Sequence, residues 1–197
     1  MAFVAAWIGC GLATEGYSAV SNAISDLARL GAPTRSAMTV GFIVFGVAIP
    51  LYSIALRRAL AGPAWIAATV TGLATLGVAA VPLGWGRDGL HGLFAGIGYA
   101  SLALTPALAV VPLRRLGRRR WATASLVAAV AAGVCLIATV AGPAHGLFQR
   151  TGLFVGDVWI VASAVAILTG RVPVGDVAGC DSWTSLADSP PAPPPLT

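Results

Sequence analysis

Nine polar or charged residues of this chain lie between its apolar blocks or about one turn inside a block, which is where a membrane protein can carry chemistry. The candidates for acid/base catalysis are Asp26, His91, His145 and Asp157, and those for substrate binding are Glu15, Ser25, Asp88, Gln149 and Arg150. Histidine titrates near neutrality and can therefore shuttle protons or ligate metals. The sequence contains no H-x-x-x-H or H-E-x-x-H pattern and its three cysteines are far apart, so we predict no metal site and no cofactor.

Asp26, His91 and Arg150 form the preferred constellation. A carboxylate at a partly dehydrated interface needs a cationic or hydrogen-bonding partner, and arginine can meet it with two parallel bonds. We therefore expect these residues to meet over one cavity, with Asp26 and His91 as an acid/base pair and Arg150 as counter-ion. The alternative for both histidines is a structural role in which the ring only hydrogen-bonds loop backbone. A serine nucleophile is not favoured, because neither Ser21 nor Ser25 lies in a G-x-S-x-G turn.

Asp157 lies about one turn inside the last apolar block. An ionisable residue at that depth usually faces the bundle interior and finds a partner, so it is a functional candidate. A structural hydrogen bond to a neighbouring helix is the alternative. The tetrapeptide His-Gly-Leu-Phe occurs at 91–94 and again at 145–148, which indicates a repeated helical hairpin unless the short match arose by chance.

The composition shows what kind of scaffold must position these residues. The chain has 197 residues, of which 57% are hydrophobic and 10% charged, whereas soluble domains carry about 25% charged residues. We predict an integral membrane protein that is embedded in the lipid bilayer and has the bilayer as its partner. All twelve basic residues are arginines and most flank apolar blocks, which is typical of membrane topology rather than of nucleic-acid binding.

Apolar blocks of suitable length predict an all-α bundle of six transmembrane helices. The blocks are residues 2–14, 38–56, 63–83, 92–113, 121–142 and 152–170, against the ~20 residues that cross a bilayer. The first is short and would span only if its helix continued past Glu15. Between the first two blocks, polar residues recur every three to four positions from Tyr17 to Arg35, which predicts an amphipathic helix at the outer face.

Arginine counts predict the orientation and domain plan. Eight arginines follow the second, fourth and sixth blocks, and four lie on the other side. Since positive residues are retained in the cytoplasm, both termini are predicted to be cytoplasmic in a cell-membrane protein. Residues 1–170 would form the transmembrane domain. Residues 171–197, rich in proline, would form a disordered cytoplasmic tail.

Several of these motifs resemble one family of small bacterial and archaeal membrane proteins, the domain-of-unknown-function-998 family, over about residues 9–170. The resemblance rests on Ile24-Ser25-Asp26-Leu27 with the following Gly31-Ala32-Pro33, on the loop histidine His91, and on Gly146-Leu147-Phe148-Gln149-Arg150. It implies a six-helix fold. It implies no activity, and the short loop 84–91 departs from the longer acidic, cysteine-containing loop of many relatives.

Two functions follow as hypotheses. In the first, a polar cavity on the extracytoplasmic side binds a lipid or isoprenoid and processes it by acid/base chemistry, as a membrane-embedded terpenoid cyclase would. In the second, the protein is a non-catalytic membrane subunit or a small-solute carrier whose polar residues only fix helix ends.

Overall fold

The architecture is all-α in the described part of the chain, residues 2–170 of a computed structural model, which contains no strand. The helices are α1 (Ala2–Leu12), α2 (Arg35–Ala59), α3 (Ala64–Ala80), α4 (Asp88–Arg115), α5 (Arg119–Ala141) and α6 (His145–Leu168). A five-residue 3-10 helix, Ile24–Ala28, stands between α1 and α2. The predicted disordered tail lies outside the described residues.

Four helices are long and apolar enough to cross a membrane. They are α2, α4, α5 and α6, with 23 to 28 residues and mean hydropathy between 1.7 and 2.3 over their most apolar stretch. The helix faces that point away from the bundle carry large apolar side chains, such as Ile137, which is 70% exposed. Contact of these side chains with water is unfavourable, whereas lipid tails can surround them. The protein is therefore a helical membrane protein.

The six-span arrangement stays a prediction, because α1 and α3 are shorter. α3 has 17 residues, at the lower limit of the range of about 17–25 that spans a bilayer. α1 has 11 residues and covers only about 16 Å at ~1.5 Å per residue. The chain leaves the helix at Leu12 and turns at Gly16, whose φ is +70°. The first helix thus does not continue past Glu15.

Consecutive helices from α2 to α6 pack side by side, and α6 returns to contact α2 and α4. The connections α2–α3 and α4–α5 are short, so neighbouring helices run in opposite directions. One end of the bundle holds residues 13–34 with the starts of α2, α4 and α6, and we call it the loop end. The opposite end holds Arg57, Arg58, Arg114, Arg115 and residues 118–120, and we call it the arginine end.

Close packing at the helix crossings depends on glycine. A Cβ on Gly156 of α6 would lie 2.6 Å from Leu102 Cγ of α4, and one on Gly77 of α3 would lie 2.6 Å from the Phe94 ring. Small residues at such positions let membrane helices approach closely. The apolar core has two parts, one near Leu56 and Leu113 towards the arginine end and one around Ile24, Leu27 and Met38 at the loop end.

The prediction of an amphipathic helix over Tyr17–Arg35 is wrong. Outside the 3-10 helix, residues 17–34 form turns, bends and irregular backbone, and Arg35 already begins α2. The Asn22 side chain accepts from the backbone N–H of Ser18 (2.8 Å), and Asp26 accepts from the N–H of Ala23 (3.0 Å). Such local side-chain bonds replace helical backbone bonds. Residues 13–34 instead form an irregular segment over the bundle, which we call the covering segment.

Candidate functional site

Arg150 connects α6 to the covering segment. It lies in the second turn of α6 and is only 6% exposed. Its Nη1 donates to the carbonyl oxygens of Ala19 (2.8 Å), Asn22 (2.7 Å) and Gly146 (2.9 Å), and its Nη2 donates to the Tyr17 hydroxyl. Carbonyl groups left free by the turns of the covering segment thus gain a charged donor, and such bonds are stronger than neutral ones.

Two aromatic rings complete the surroundings of the guanidinium. Arg150 Cζ lies 5.6 Å from the Trp7 ring centroid and 5.3 Å from that of Tyr17, within the range of a cation–π interaction. Burial raises the pKa of the Tyr17 phenol above its ordinary value, so Tyr17 stays neutral at pH 7. The neutral hydroxyl can accept from Arg150 and donate to the Ala23 carbonyl oxygen at 2.9 Å.

The first turn of α6 is shaped to receive the covering segment. A Cβ on Gly146 would collide with the Asn22 carbonyl oxygen and lie 2.8 Å from Arg150 Nη1. One residue later, the N–H of Leu147 donates to the Val20 carbonyl oxygen at 3.0 Å. The missing side chain of Gly146 therefore allows the backbone of the covering segment to lie directly on α6.

The expected ion pair between Asp26 and Arg150 does not form. Asp26 pairs with Arg29 at 2.9 Å and also accepts the N–H of Ala23. Within residues 2–170, no carboxylate lies within ion-pair distance of Arg150. Since both oxygens of Asp26 are engaged locally, backbone carbonyls take the place that the carboxylate was expected to fill.

A small cavity lies beneath the covering segment. Its volume is about 70 Å³, several times the ~10–15 Å³ that one water molecule needs. Its walls come from all the helices except α5, and from the covering segment. The polar side chains that line it are Ser25, Thr71, Thr75, His91, Tyr99 and Gln149, and the apolar ones include Phe3, Phe42, Phe45, Phe94 and Leu153.

His91 is a buried polar residue of this wall, with 3% exposure. Its Nδ1 lies 2.6 Å from the carbonyl oxygen of Val81. A carbonyl can only accept, so Nδ1 carries the hydrogen, and in the neutral ring Nε2 presents a lone pair. Nε2 is buried and has no hydrogen-bond partner among the described residues, which leaves one acceptor unsatisfied beside the cavity.

Three predicted site residues line the cavity: Ser25, His91 and Gln149. Gln149 also holds the covering segment, because its Oε1 accepts the backbone N–H of Ile24 at 2.9 Å. Arg150 lies next to Gln149 but contacts the turns above the cavity. The structure thus brings His91 and the Arg150 region to one end of the bundle without direct contact between them.

The other predicted residues lie apart from the cavity. Glu15 and Asp88 are exposed, and Asp88 accepts the N–H of Gly84 at 2.8 Å at the start of α4. His145 is half-buried and begins α6, whereas His91 lies three residues inside α4. The two His-Gly-Leu-Phe motifs therefore occupy different positions on their helices.

Asp157 faces a separate groove between α2, α6 and the start of α1. The groove has a volume of about 260 Å³ and is lined by Tyr52 and Phe3 among others. Asp157 is 5% exposed, and its Oδ1 has no hydrogen-bond partner within residues 2–170. Among the described residues, no three His, Cys, Asp or Glu side chains lie close enough together to hold a metal ion.

Sequence reasoning missed the aromatic residues of the site. Trp7 and Tyr17 hold the guanidinium of Arg150, and Tyr99 lines the cavity with its hydroxyl 3.3 Å from the Phe148 carbonyl oxygen. Tyr17 is the first residue of the polar stretch Tyr17–Arg35, and its phenol is a hydrogen-bonding group that the sequence shows. Trp7 gave no such signal, because tryptophan near a membrane surface is common.

Comparison with protein families identifies the chain. The model of the family described as "Protein of unknown function (DUF998)" matches residues 1–166. The chain therefore belongs to the DUF998 family, which confirms the resemblance noted from its motifs. No curated protein and no solved structure match.

Proposed function

We propose, from the premise that this is a membrane-spanning member of the DUF998 family, that the cavity beneath the covering segment binds the hydroxyl end of a lipid or isoprenoid alcohol. The observation that carries the proposal is that His91, which lines the cavity, has a buried Nε2 without a hydrogen-bond partner among the described residues. A buried acceptor without a partner costs about 1–3 kcal/mol. A ligand hydroxyl that donates to Nε2 would recover this free energy.

The walls suit an amphiphile. Phe42, Phe94 and Leu153 give the cavity a mainly apolar surface, while His91 and Gln149 supply polar atoms on one side. Few polar groups in an apolar pocket are typical of sites that orient a small molecule. An apolar cavity of about 150 Å³ binds benzene. The cavity here, at about 70 Å³, would therefore hold only the hydroxyl and the first carbons, and the remaining chain would lie among the lipid-facing helices.

Binding is favoured over acid/base turnover by the position of the carboxylates. No Asp or Glu of the described chain lines the cavity, and Asp26 is engaged by Arg29 and Ala23. A neutral histidine by itself can accept a proton but has no positioned acid to cooperate with. The primary role that we propose is therefore lipid binding at the loop end, on the extracytoplasmic side.

The test compares farnesol with farnesane, the saturated hydrocarbon that has the same carbon skeleton and no hydroxyl, using the full chain in detergent and thermal unfolding as the measurement. Farnesol should raise the melting temperature saturably and farnesane should not, because only farnesol can donate to Nε2. His91→Asn places an amide nitrogen near the position of Nδ1, which preserves the bond to Val81, and removes Nε2. It should abolish the farnesol effect.

His145→Asn is the matched control and should respond to farnesol as the wild type does, since His145 does not line the cavity. The proposal is wrong if farnesane stabilises the protein as much as farnesol, or if His91→Asn keeps the full farnesol response.

A further inference from the structure

A second concave surface lies at the arginine end, far from the cavity beneath the covering segment. The groove runs between the end of α2, the α2–α3 connection and the last turns of α4, and has a volume of about 640 Å³. Arg57, Arg58 and Arg115 line the groove at the end of the bundle, and we call this part its rim. Leu108 and Val111 line it further inside along α4, and we call this part its floor. All three arginines are exposed.

These arginines have no carboxylate partner in the described part of the protein. The ion pair that forms within residues 2–170 joins Arg29 to Asp26 at the loop end. The acids of the described helices and connections are Glu15, Asp26, Asp88 and Asp157, and none of them lines the groove. Arg57 is positioned by the Trp65 ring, with its Cζ 4.9 Å from the ring centroid. Three cations therefore line a mainly apolar groove to which no residue of the described chain contributes an anion.

The direction of the groove indicates what fits it. Leu108, Val111 and Arg115 recur at intervals of three and four residues, so they share one face of α4. Arg115 stands at the helix end, and Leu108 lies about 10 Å deeper at ~1.5 Å per residue. A negative group at the rim would thus continue into an apolar chain that runs along α4 towards the membrane interior.

We propose that this groove binds an anionic phospholipid, with its phosphate between Arg58 and Arg115 and one acyl chain along Leu108 and Val111. Arginine recognises phosphate oxygens through paired N–H donors, and basic pockets between membrane helices bind anionic headgroups. The volume lies within the ~300–1,000 Å³ of typical ligand sites. An acidic peptide would satisfy the arginines but would leave the floor of α4 uncovered, so the lipid is the better match.

The test uses dioleoyl phosphatidylglycerol and dioleoyl phosphatidylcholine, which have the same chains and differ in headgroup charge. Lipid retained by the full chain in detergent is titrated by native mass spectrometry. Each arginine near a headgroup contributes about a five-fold change in affinity. Arg58→Gln combined with Arg115→Gln should therefore weaken phosphatidylglycerol binding about 30-fold. Phosphatidylcholine binding should weaken less, because its choline cation offsets the charge of the phosphate.

Arg114→Gln combined with Arg120→Gln is the matched control. It removes the same charge from the same end, but neither residue lines the groove, so the affinity should change by less than about three-fold. Val111→Trp keeps every arginine and fills the floor, and it should also weaken phosphatidylglycerol binding. Three results would overturn the proposal: an equal loss in the control pair, full binding by Val111→Trp, or equal affinity of the wild type for both lipids.

Discussion

At the scale of single residues, Arg150 shows how a buried cation can be accommodated without a carboxylate. Its Nη atoms bind carbonyl oxygens and a phenol, and two aromatic rings lie within 6 Å of its Cζ. Each carbonyl contributes only a partial charge, so several must converge to replace one anion. The covering segment provides them because its turns leave backbone carbonyls outside regular hydrogen bonding. Arg150 is therefore a positioning residue for that segment.

This arrangement predicts strong energetic coupling between Tyr17 and Arg150. In a double-mutant cycle of Tyr17→Phe and Arg150→Gln, we expect a coupling of about 0.5–3 kcal/mol in the free energy of unfolding, because the two side chains are in direct contact. The cycle of Asp26→Asn with Arg150→Gln should give a smaller coupling, since Asp26 pairs with Arg29. Both coupling free energies are measured by unfolding in detergent. A larger coupling in the Asp26 cycle than in the Tyr17 cycle would mean that Asp26 and Arg150 do form the ion pair expected from the sequence.

Gly146 offers a sharper test of the contact between α6 and the covering segment. Gly146→Ala forces a Cβ against the Asn22 carbonyl and Arg150, so we expect a loss of about 1–3 kcal/mol. Gly92→Ala on α4 is the control, because nothing lies within 4 Å of its added Cβ and alanine stabilises helices by roughly 0.5–1 kcal/mol relative to glycine. Equal melting temperatures for the two variants would show that the covering segment does not rest on Gly146.

The sequence predicted some of these residues and not others for a physical reason. His91, Gln149 and Ser25 could be chosen because their side chains are polar beside apolar blocks. The partners of Arg150 could not, because Ala19 and Asn22 act through backbone carbonyls, which any residue has. The free acceptor of His91 depended on which nitrogen met Val81, and that contact joins residues ten positions apart across a turn.

At the scale of elements, the covering segment shows where periodicity misleads. Polar residues three to four apart from Ser18 to Arg29 fit a helix, yet Asn22 and Asp26 use the same spacing to bond backbone N–H groups in turns. Ser, Asn and Asp compete with helical hydrogen bonds in this way. The long apolar helices gave no such ambiguity, because a lipid environment requires every backbone group to be satisfied within the segment.

The docking of the covering segment can be measured by proteolysis. Arg29 is a trypsin site on this segment, with a side chain 48% exposed, and cleavage requires the backbone to detach locally. Gln149→Leu removes the acceptor of the Ile24 N–H, so we expect cleavage after Arg29 to become several-fold faster. Ser21→Ala, an exposed change in the same segment, should cleave at the wild-type rate. If Gln149→Leu also does so, the bond to Ile24 does not hold the segment.

At the scale of the whole molecule, two chemically different ends face opposite ways along the bundle. The arginine end has seven arginines and no acid among the residues that the structure describes, whereas the loop end combines Arg29, Arg35, Arg87 and Arg150 with Glu15, Asp26 and Asp88. The long apolar helices separate these ends. The lengths of the apolar runs were enough to predict α2, α4, α5 and α6 as membrane spans. The shorter α1 and α3 cannot be placed in the membrane by length, because their depth depends on the helices that they pack against.

The charge difference predicts the orientation, and α2 provides the simplest way to test it. Ser21 and Ala61 are both exposed and lie on either side of this 25-residue helix. In a background where the native cysteines are replaced by alanine, Ser21→Cys should react with an impermeant maleimide in sealed right-side-out vesicles. Ala61→Cys should react only after the vesicles are opened, because positively charged loops remain cytoplasmic. Reaction of both cysteines in sealed vesicles would mean that α2 does not cross the membrane, and the reverse pattern would place the arginine end, with its proposed phospholipid groove, outside the cell.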